Sequence, residues 1–157
     1  MKIISKKIIE KLSKKKLKIS IAESCTGGLI SSSLTSISGS SRVFDLGMVT
    51  YSNKSKIEVL KISKKNIKRY GAVSEEVCKD MAKNVCKIGK TNMSVSVTGI
   101  AGPGGGTKKK PVGLVYIGIK KGKKISITKY LFKNKGRSYI QKTTTNKCLR
   151  LILSFLK

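Results

Sequence analysis

The chain has 157 residues, the length of one domain, and its 39% hydrophobic and 27% charged residues are typical of a soluble globular protein. It contains no histidine, which excludes a Ser-His-Asp triad, a Cys-His pair and any zinc site that uses imidazole. Its formal net charge is +28 and only seven residues are acidic. So few carboxylates argue against a carboxylate-rich metal site and against a glycosidase site with paired carboxylates.

Periodicity and turn residues divide the chain into alternating helices and strands without an internal repeat. The predicted elements are a helix over 2–17, a strand over 19–22, a helix over 29–37, a strand over 46–51, helices over 53–60, 63–70 and 75–88, a strand over 93–98, a hairpin of strands over 114–119 and 125–131, and a helix over 137–155. This mixture predicts an α/β fold, a three-layer sandwich in which a mixed β-sheet carries helices on both faces. We expect a single domain over residues 1–157.

The first segment with chemical potential is the polar, glycine-containing turn over residues 23–28. Ser24 follows a strand and precedes a helix, as in a nucleophile elbow, although the G-x-S-x-G pattern is absent. Free N–H groups of such a turn and of the helix start stabilise an oxyanion or bind phosphate. The alternative is that Ser24 and the neighbouring residues Thr26, Gly27 and Gly28 only cap the helix.

The second segment, residues 51–56, contains Tyr51, Lys54 and Lys56. Without histidine, a general base must be a lysine, a tyrosine or one of the few carboxylates, and burial lowers the pKa of a lysine enough for this role. Tyr51 and Lys54 superficially match the Tyr-x-x-x-Lys pair of short-chain dehydrogenases, but the spacing is one residue short. The alternative for both lysines is a solvated surface.

The third segment is a long glycine-rich loop over residues 98–113. It lacks the Gly-Lys-Ser/Thr of a Walker A motif, and it leads to a strand rather than to the helix that a G-x-G-x-x-G fingerprint requires. Its length and glycine content nevertheless favour close backbone approach to a ligand over a plain connection.

Neither the high charge nor the four cysteines indicate a specific function. Only four of the 35 basic residues are arginine, no tryptophan is present, and the lysines are scattered, so we expect no specific nucleic-acid partner. The cysteines form no C-x-x-C pair, which argues against zinc and thioredoxin-like chemistry. No apolar run approaches the ~20 residues of a membrane span and no signal peptide is evident, so we expect a cytoplasmic protein without membrane association.

Four motifs, in order, resemble the CinA C-terminal domain family over roughly residues 5–155. They are Ala22-Glu-Ser-Cys-Thr-Gly-Gly28, Val49-Thr-Tyr-Ser-Asn53 with Lys56, Gly71-Ala-Val-Ser-Glu75, and Val97-Thr-Gly-Ile-Ala-Gly-Pro103 with Gly105-Gly106 and Lys110-Pro-Val-Gly113. Single-domain members of the family, the PncC-like proteins, are nicotinamide-nucleotide amidohydrolases, which convert nicotinamide mononucleotide to nicotinate mononucleotide and ammonia. Larger members carry an additional N-terminal domain.

The resemblance implies Ser24 as the nucleophile and Tyr51 and Lys56 as its activating partners. If Tyr51 is hydrogen-bonded between the other two, it would relay the proton. It implies no metal or organic cofactor, nicotinamide mononucleotide as the substrate, and a substrate cradle formed in part by the glycine-rich loop. Self-association is left open. The residues expected to bind substrate are Thr26, Gly27, Gly28, Thr98, Gly99, Gly102, Gly104, Gly105, Gly106 and Arg137.

The sequence departs from the family before its last helix. The family often shows Phe-x-Gly-Asp-Arg-x-x-Val-Arg, whereas residues 132–141 keep only Arg137, lack the acid and carry Gln141 in place of the second arginine. Two alternatives therefore stand beside the serine amidase: Cys25 as the nucleophile, and a degenerate, non-catalytic domain that binds nucleotides or nucleic acid.

Overall fold

The computed structural model describes residues 1–157 in full, as six helices, five strands and one short 3-10 turn over Ser40–Arg42. The helices are α1 (Lys2–Lys14), α2 (Leu29–Thr35), α3 (Asn53–Glu58), α4 (Lys64–Tyr70), α5 (Glu75–Ile88) and α6 (Arg137–Phe155). The strands are β1 (Ile19–Glu23), β2 (Phe44–Val49), β3 (Met93–Gly99), β4 (Leu114–Lys121) and β5 (Lys124–Leu131).

The five strands form one mixed sheet in the order β2-β1-β3-β4-β5. Strand β1 is parallel to both β2 and β3, whereas β4 and β5 form an antiparallel hairpin that extends the sheet from β3. Because parallel strands end at the same edge, the residues after β1, β2 and β3 meet there, and β4 begins there after the glycine-rich loop. This edge carries the candidate site.

Helices cover both faces of the sheet, which confirms the predicted three-layer α/β sandwich. The larger apolar cluster joins one face to α1, α2 and α6, and the smaller cluster joins the other face to α5 and the segment after α3. The smaller cluster consists of Ala22, Leu60, Ile62, Val77, Met81 and Val85.

Strand β3 shows how its alternating sequence is used on both faces. Its apolar residues, Met93, Val95 and Val97, enter the larger cluster. The hydroxyl residues between them face α5 and the loop before it, where each donates a hydrogen bond to a main-chain carbonyl. These bonds run from Ser94 Oγ to Ala82 O (2.6 Å), from Ser96 Oγ to Cys78 O (2.7 Å) and from Thr98 Oγ1 to Ala72 O (2.8 Å).

Most predicted elements differ from those in the structure by one to three residues at one or both ends. The first helix ends at Lys14 rather than at residue 17, and Lys16 then takes a positive φ of 52° that breaks the helical path. The second strand spans Phe44–Val49 rather than 46–51, because its pairing with β1 ends at Val49. Thr50 and Tyr51 therefore leave the sheet. No helix combines the length and apolar character needed to cross a membrane.

Candidate active site

The site centres on Ser24, the first residue after β1. The Ser24 amide donates to the carbonyl of Val97 at 3.0 Å, which fixes the residue beside the end of β3. The Oγ atom of Ser24 lies 2.9 Å from the Nζ atom of Lys56, a residue of α3. The structure thus places the predicted nucleophile and the predicted base in direct hydrogen-bond contact.

The ammonium of Lys56 is buried and surrounded by neutral acceptors. Only 1% of the residue is exposed, and Nζ also donates to the carbonyls of Thr50 at 2.7 Å and Tyr51 at 3.4 Å. No carboxylate pairs with it, since the one salt bridge in the protein joins Lys18 to Asp45. Burial lowers the pKa of Lys56 to about 8, because the charged form loses its hydration.

The three acceptors also fix how the neutral amine is oriented. The ammonium form has three N–H groups for these three oxygens, whereas the neutral form has two N–H groups and one lone pair. The carbonyls of Thr50 and Tyr51 only accept, so they hold the two N–H groups. The lone pair of Lys56 then faces the hydroxyl of Ser24, as proton abstraction requires.

Local sequence accounts for the placement of Lys56. Ser52 and Ser55 form a capping box at the start of α3, in which each side chain bonds the backbone amide of the other. Since the N-terminus of this short helix is fixed directly after Thr50 and Tyr51, the side chain of Lys56 reaches back to their carbonyls. Lys54, two positions earlier, is exposed.

The Tyr51 hydroxyl does not lie between Lys56 and Ser24, so it is not placed to relay a proton between them. The Tyr51 side chain is 58% exposed, and its hydroxyl accepts a hydrogen bond from Nη2 of Arg137 at 2.6 Å. Nη1 of Arg137 donates to the carbonyl of Gly102 at 3.0 Å. Tyr51 therefore meets Lys56 only through its carbonyl, while Arg137 ties Tyr51 to the glycine-rich loop.

Beside Ser24 and Lys56 lies a cavity of about 240 Å³. It includes nine of the thirteen predicted site residues, and Thr26, Gly27, Gly28 and Gly106 are not part of its lining. Residues that the sequence analysis did not assign to the site also line it: Cys25, Asn53, Ala72, Val73, Ile100 and Ala101. The predicted residues in the lining are Ser24, Tyr51, Lys56, Thr98, Gly99, Gly102, Gly104, Gly105 and Arg137.

The amides of the Ser24 turn are not all free, contrary to expectation. Those of Ser24, Gly27 and Gly28 donate to Val97 O, Ser24 O and the Glu23 carboxylate, respectively. Those of Cys25 and Thr26 donate to no acceptor in the protein. Any oxyanion contact from this turn is thus limited to the two amides that directly follow Ser24.

Glu23 occupies the start of α2, which the sequence analysis left for a ligand. Its carboxylate is fully buried and accepts bonds from the amides of Gly28, Ile30 and Ser31 at 2.8–3.1 Å and from the Ser31 hydroxyl at 2.7 Å. These four donors fix the carboxylate against the start of the helix. In the sequence, the signal for this contact is a glutamate six residues before a predicted helix.

The thiol of Cys25 is unsuited to nucleophilic attack. The residue is only 5% exposed, and burial raises the pKa of its thiol to about 12. Its carbonyl accepts a hydrogen bond from Nε2 of Gln141 at 2.8 Å. Gln141 thus supports the turn that contains Ser24 from α6, at a position where the family often shows arginine.

No group of three or more histidine, cysteine or acidic side chains converges in a way that could hold a metal ion. The polar side chains that line the cavity are three hydroxyls, an amide, an amine, a guanidinium and a thiol, from Ser24, Tyr51, Thr98, Asn53, Lys56, Arg137 and Cys25. Such a set suits attack by an alcohol on an acyl carbon.

Comparison with known proteins assigns the chain to a family. The CinA C-terminal domain model matches residues 1–156. This chain belongs to the CinA C-terminal domain family. A CinA-like protein of Prochlorococcus marinus strain MIT 9301 is 50% identical over 151 residues, which cover 93% of this chain and 36% of that protein. The chain thus spans about a third of the length of this curated relative.

Solved CinA structures share the fold over nearly the whole chain. The competence/damage inducible protein CihA of Agrobacterium tumefaciens superposes with a TM-score of 0.96 at 37% identity, covering 99% of this chain and 95% of that one. A CinA superfamily protein of Escherichia coli superposes with a TM-score of 0.93 at 26% identity, covering 97% and 88%. The resemblance of the sequence motifs to the CinA family is confirmed.

Proposed function

We propose that this CinA domain hydrolyses the carboxamide of nicotinamide mononucleotide to the carboxylate and ammonia, through an ester formed on Ser24. The observation that carries the proposal is the contact of 2.9 Å between Ser24 Oγ and Nζ of the buried Lys56. With no histidine in the chain, a lysine whose pKa is lowered to about 8 is the base that neutral pH requires.

In the first step, the neutral amine of Lys56 takes the proton of Ser24 while Oγ attacks the carboxamide carbon. The C–O bond forms, the C=O π pair moves to oxygen, and Lys56 becomes an ammonium. We assign the free amides of Cys25 and Thr26 as donors to the oxyanion, since they follow the nucleophile and have no acceptor in the protein.

In the second step, the tetrahedral intermediate collapses. The Lys56 ammonium returns its proton to the leaving nitrogen, the C–N bond breaks, and ammonia departs. A water then adds to the ester in the same way, with Lys56 again accepting a proton and returning it to Ser24. The ester C–O bond breaks, the acid product gives its proton to solvent, where ammonia takes it up, and the carboxylate leaves with the enzyme in its initial protonation state.

The cavity supports a ring-bearing, phosphorylated substrate. Apolar side chains suited to contact with a flat ring form part of its lining, and Arg137 carries the cationic group that would meet a phosphate. The electron-poor pyridinium ring makes the adjacent carbonyl more electrophilic. The apolar lining comes from Ala72, Val73, Ile100 and Ala101.

A cationic ring predicts a particular pH signature. In the free enzyme, kcat/KM should rise with pH through an ionisation near 8, the pKa of Lys56. A bound pyridinium is a like charge beside the ammonium, so it disfavours the charged form of Lys56. The ionisation in kcat should therefore lie below the one in kcat/KM.

The direct test is ammonia release from nicotinamide mononucleotide by the purified protein, with quenched samples examined by intact mass for an acyl adduct. The wild type should release ammonia, and Ser24→Ala should form neither ammonia nor adduct. Binding of the nucleotide without ammonia release would favour the non-catalytic binding domain. An adduct on Cys25 would transfer the nucleophile to the thiol.

A further inference from the structure

The loop between α4 and α5 is held by side chains along its whole length. Four consecutive main-chain carbonyls, from residue 70 to residue 73, each accept a hydrogen bond from a side chain. Two residues of this loop, Ala72 and Val73, line the cavity beside Ser24. The bonds run from Lys110 Nζ to Tyr70 O (2.5 Å) and Val73 O (2.7 Å), from Ser74 Oγ to Gly71 O (2.9 Å), and from Thr98 Oγ1 to Ala72 O (2.8 Å).

Thr98 lies on β3, so Lys110 is the one of these donors that comes from the glycine-rich loop after that strand. It is half-buried, has no carboxylate partner, and bonds carbonyls 40 and 37 positions earlier in the chain. Its own backbone is anchored in a tight turn: the Thr107 amide donates to Lys110 O at 2.8 Å, and the Lys110 amide donates to Thr107 Oγ1 at 3.0 Å. The close approach also suits Gly71, where an added Cβ would lie 2.9 Å from Lys110 Nζ.

The outer part of the glycine-rich loop, residues 103–110, makes few hydrogen bonds to the rest of the protein. From residue 103 to residue 110, the two bonds of the Lys110 side chain are the only hydrogen bonds to the rest of the protein. The amides of Gly104 and Gly105, which line the cavity, donate to no acceptor in the protein. This outer part of the loop is therefore joined to the 71–73 wall by one side chain, which is itself outside the lining.

We infer that Lys110 is a positioning residue that sets substrate affinity by joining the 71–73 wall of the cavity to the glycine-rich wall. It acts through Val73 and the loop backbone and touches no reacting atom. This inference rests on the proposed function of the Ser24 site for its kinetic consequence. Its structural consequence, the coupling of the two walls, is independent of the reaction.

The kinetic test uses Lys110→Met, which keeps the length of the side chain but donates no hydrogen bond. If the two walls are less firmly joined, the substrate and the transition state should bind more weakly by a similar amount. KM should therefore rise about tenfold while kcat changes less than about twofold. Lys110→Arg, whose guanidinium also donates to two carbonyls, should restore most of the affinity. Lys109→Met, which removes the same charge from the exposed neighbour, should leave both constants unchanged.

A second measurement keeps this inference separate from the proposed function. The amides of Gly71 and Thr107 are hydrogen-bonded on opposite sides of the Lys110 contact, so NMR hydrogen exchange reads both walls. Lys110→Met should speed exchange at both amides with little change in melting temperature, and Lys109→Met should speed neither.

The outcomes separate the two proposals. If the wild-type protein releases no ammonia, the proposed function is wrong. The inference about Lys110 is then tested by hydrogen exchange alone. The inference is overturned if Lys110→Met matches Lys109→Met in exchange and KM, or if it lowers kcat while KM stays unchanged. Should Lys110→Met fail to fold, Lys110→Gln, with one donor group, takes its place; unchanged KM and exchange in that variant would equally overturn the inference.

Discussion

The side chains of Lys56 and Lys110 make similar contacts but differ in their burial and in whether they have a third hydrogen-bond partner. Each side chain donates to two main-chain carbonyls and has no carboxylate partner. Lys56 is 1% exposed and its third neighbour is the hydroxyl of Ser24, whereas Lys110 is half-buried and makes no third bond. The two lysines thus share residue type and carbonyl partners. The roles proposed for them, base and positioning residue, differ because only Lys56 is shielded from water and bonded to a hydroxyl.

This difference explains why residue type alone does not predict the role of a lysine in this protein. Among 35 basic residues, most are solvated, and a buried amine changes chemistry because its charged form loses hydration. The helix start at Ser52 aims Lys56 into the sheet edge. The tight turn of residues 107–110 aims Lys110 at a loop instead.

The largest effect should come from removing the amine of Lys56. Lys56→Met should lower kcat by about 10³-fold or more, since it deletes the base that activates Ser24. Lys54→Met, which removes an equal charge from the exposed face of the same helix, is the matched control and should retain its rate. Steady-state ammonia release measures both; equal losses in the two variants would erase the distinction between buried and solvated lysines.

The next effect concerns the support beneath Ser24. Glu23→Gln replaces an anionic acceptor of four hydrogen bonds with an amide that offers one oxygen, so unfolding free energy should fall by about 3 kcal/mol. Glu58→Gln, an exposed glutamate of α3, should change stability by less than about 0.5 kcal/mol. Urea denaturation provides both values, and similar values would mean that the buried carboxylate does not hold the start of α2.

A smaller effect follows from the pKa of Lys56, about 8 in the folded protein against 10.5 for an ordinary lysine. Between these values the unfolded chain binds more protons than the folded one, so stability rises with pH. From pH 7 to pH 9.5 the wild type should gain about 2 kcal/mol relative to Lys56→Met. Urea denaturation of both proteins at the two pH values measures this difference, and parallel behaviour would mean that Lys56 titrates like a solvated lysine.

The smallest effect should be at Cys25, next to the nucleophile but without a working thiolate. Its pKa of about 12 leaves the thiol protonated at pH 8, so iodoacetamide should not label it in the folded protein. Cys25→Ala should lower kcat/KM less than about tenfold, through packing alone. Rapid labelling together with loss of turnover would make the thiol, not the pair of Ser24 and Lys56, the reactive centre.

Sequence patterns predicted the element order, the layers and the position of Ser24, because these depend on local periodicity and on a turn that follows a strand. The bounds of β2 could not be predicted, since apolar character continues to Tyr51 while the pairing with β1 stops at Val49. That early end is what turns two carbonyls toward Lys56.

The parts of the site that could not be predicted depend on side-chain contacts between residues far apart in the sequence. Nothing near Tyr51 in the sequence indicates that its hydroxyl turns outward to Arg137, 86 positions later. Lys110 lies in one of the quoted motifs but was given no role, since its contacts are 37 and 40 positions away in the chain. Spacing along the chain identifies which residues can meet, whereas the direction of a side chain is set by packing.

The free edge of the sheet at β5 gives the lysines a collective consequence. An open strand presents unpaired amides and carbonyls that invite pairing with another chain, and β5 exposes Lys124 and Lys129 beside the exposed apolar side chain of Leu131. Copies that each carry +28 repel one another before such edges can meet. That protection is ionic: at 1 M salt the Debye length shrinks to about 3 Å, and colloidal stability then depends on the shape of the edge alone.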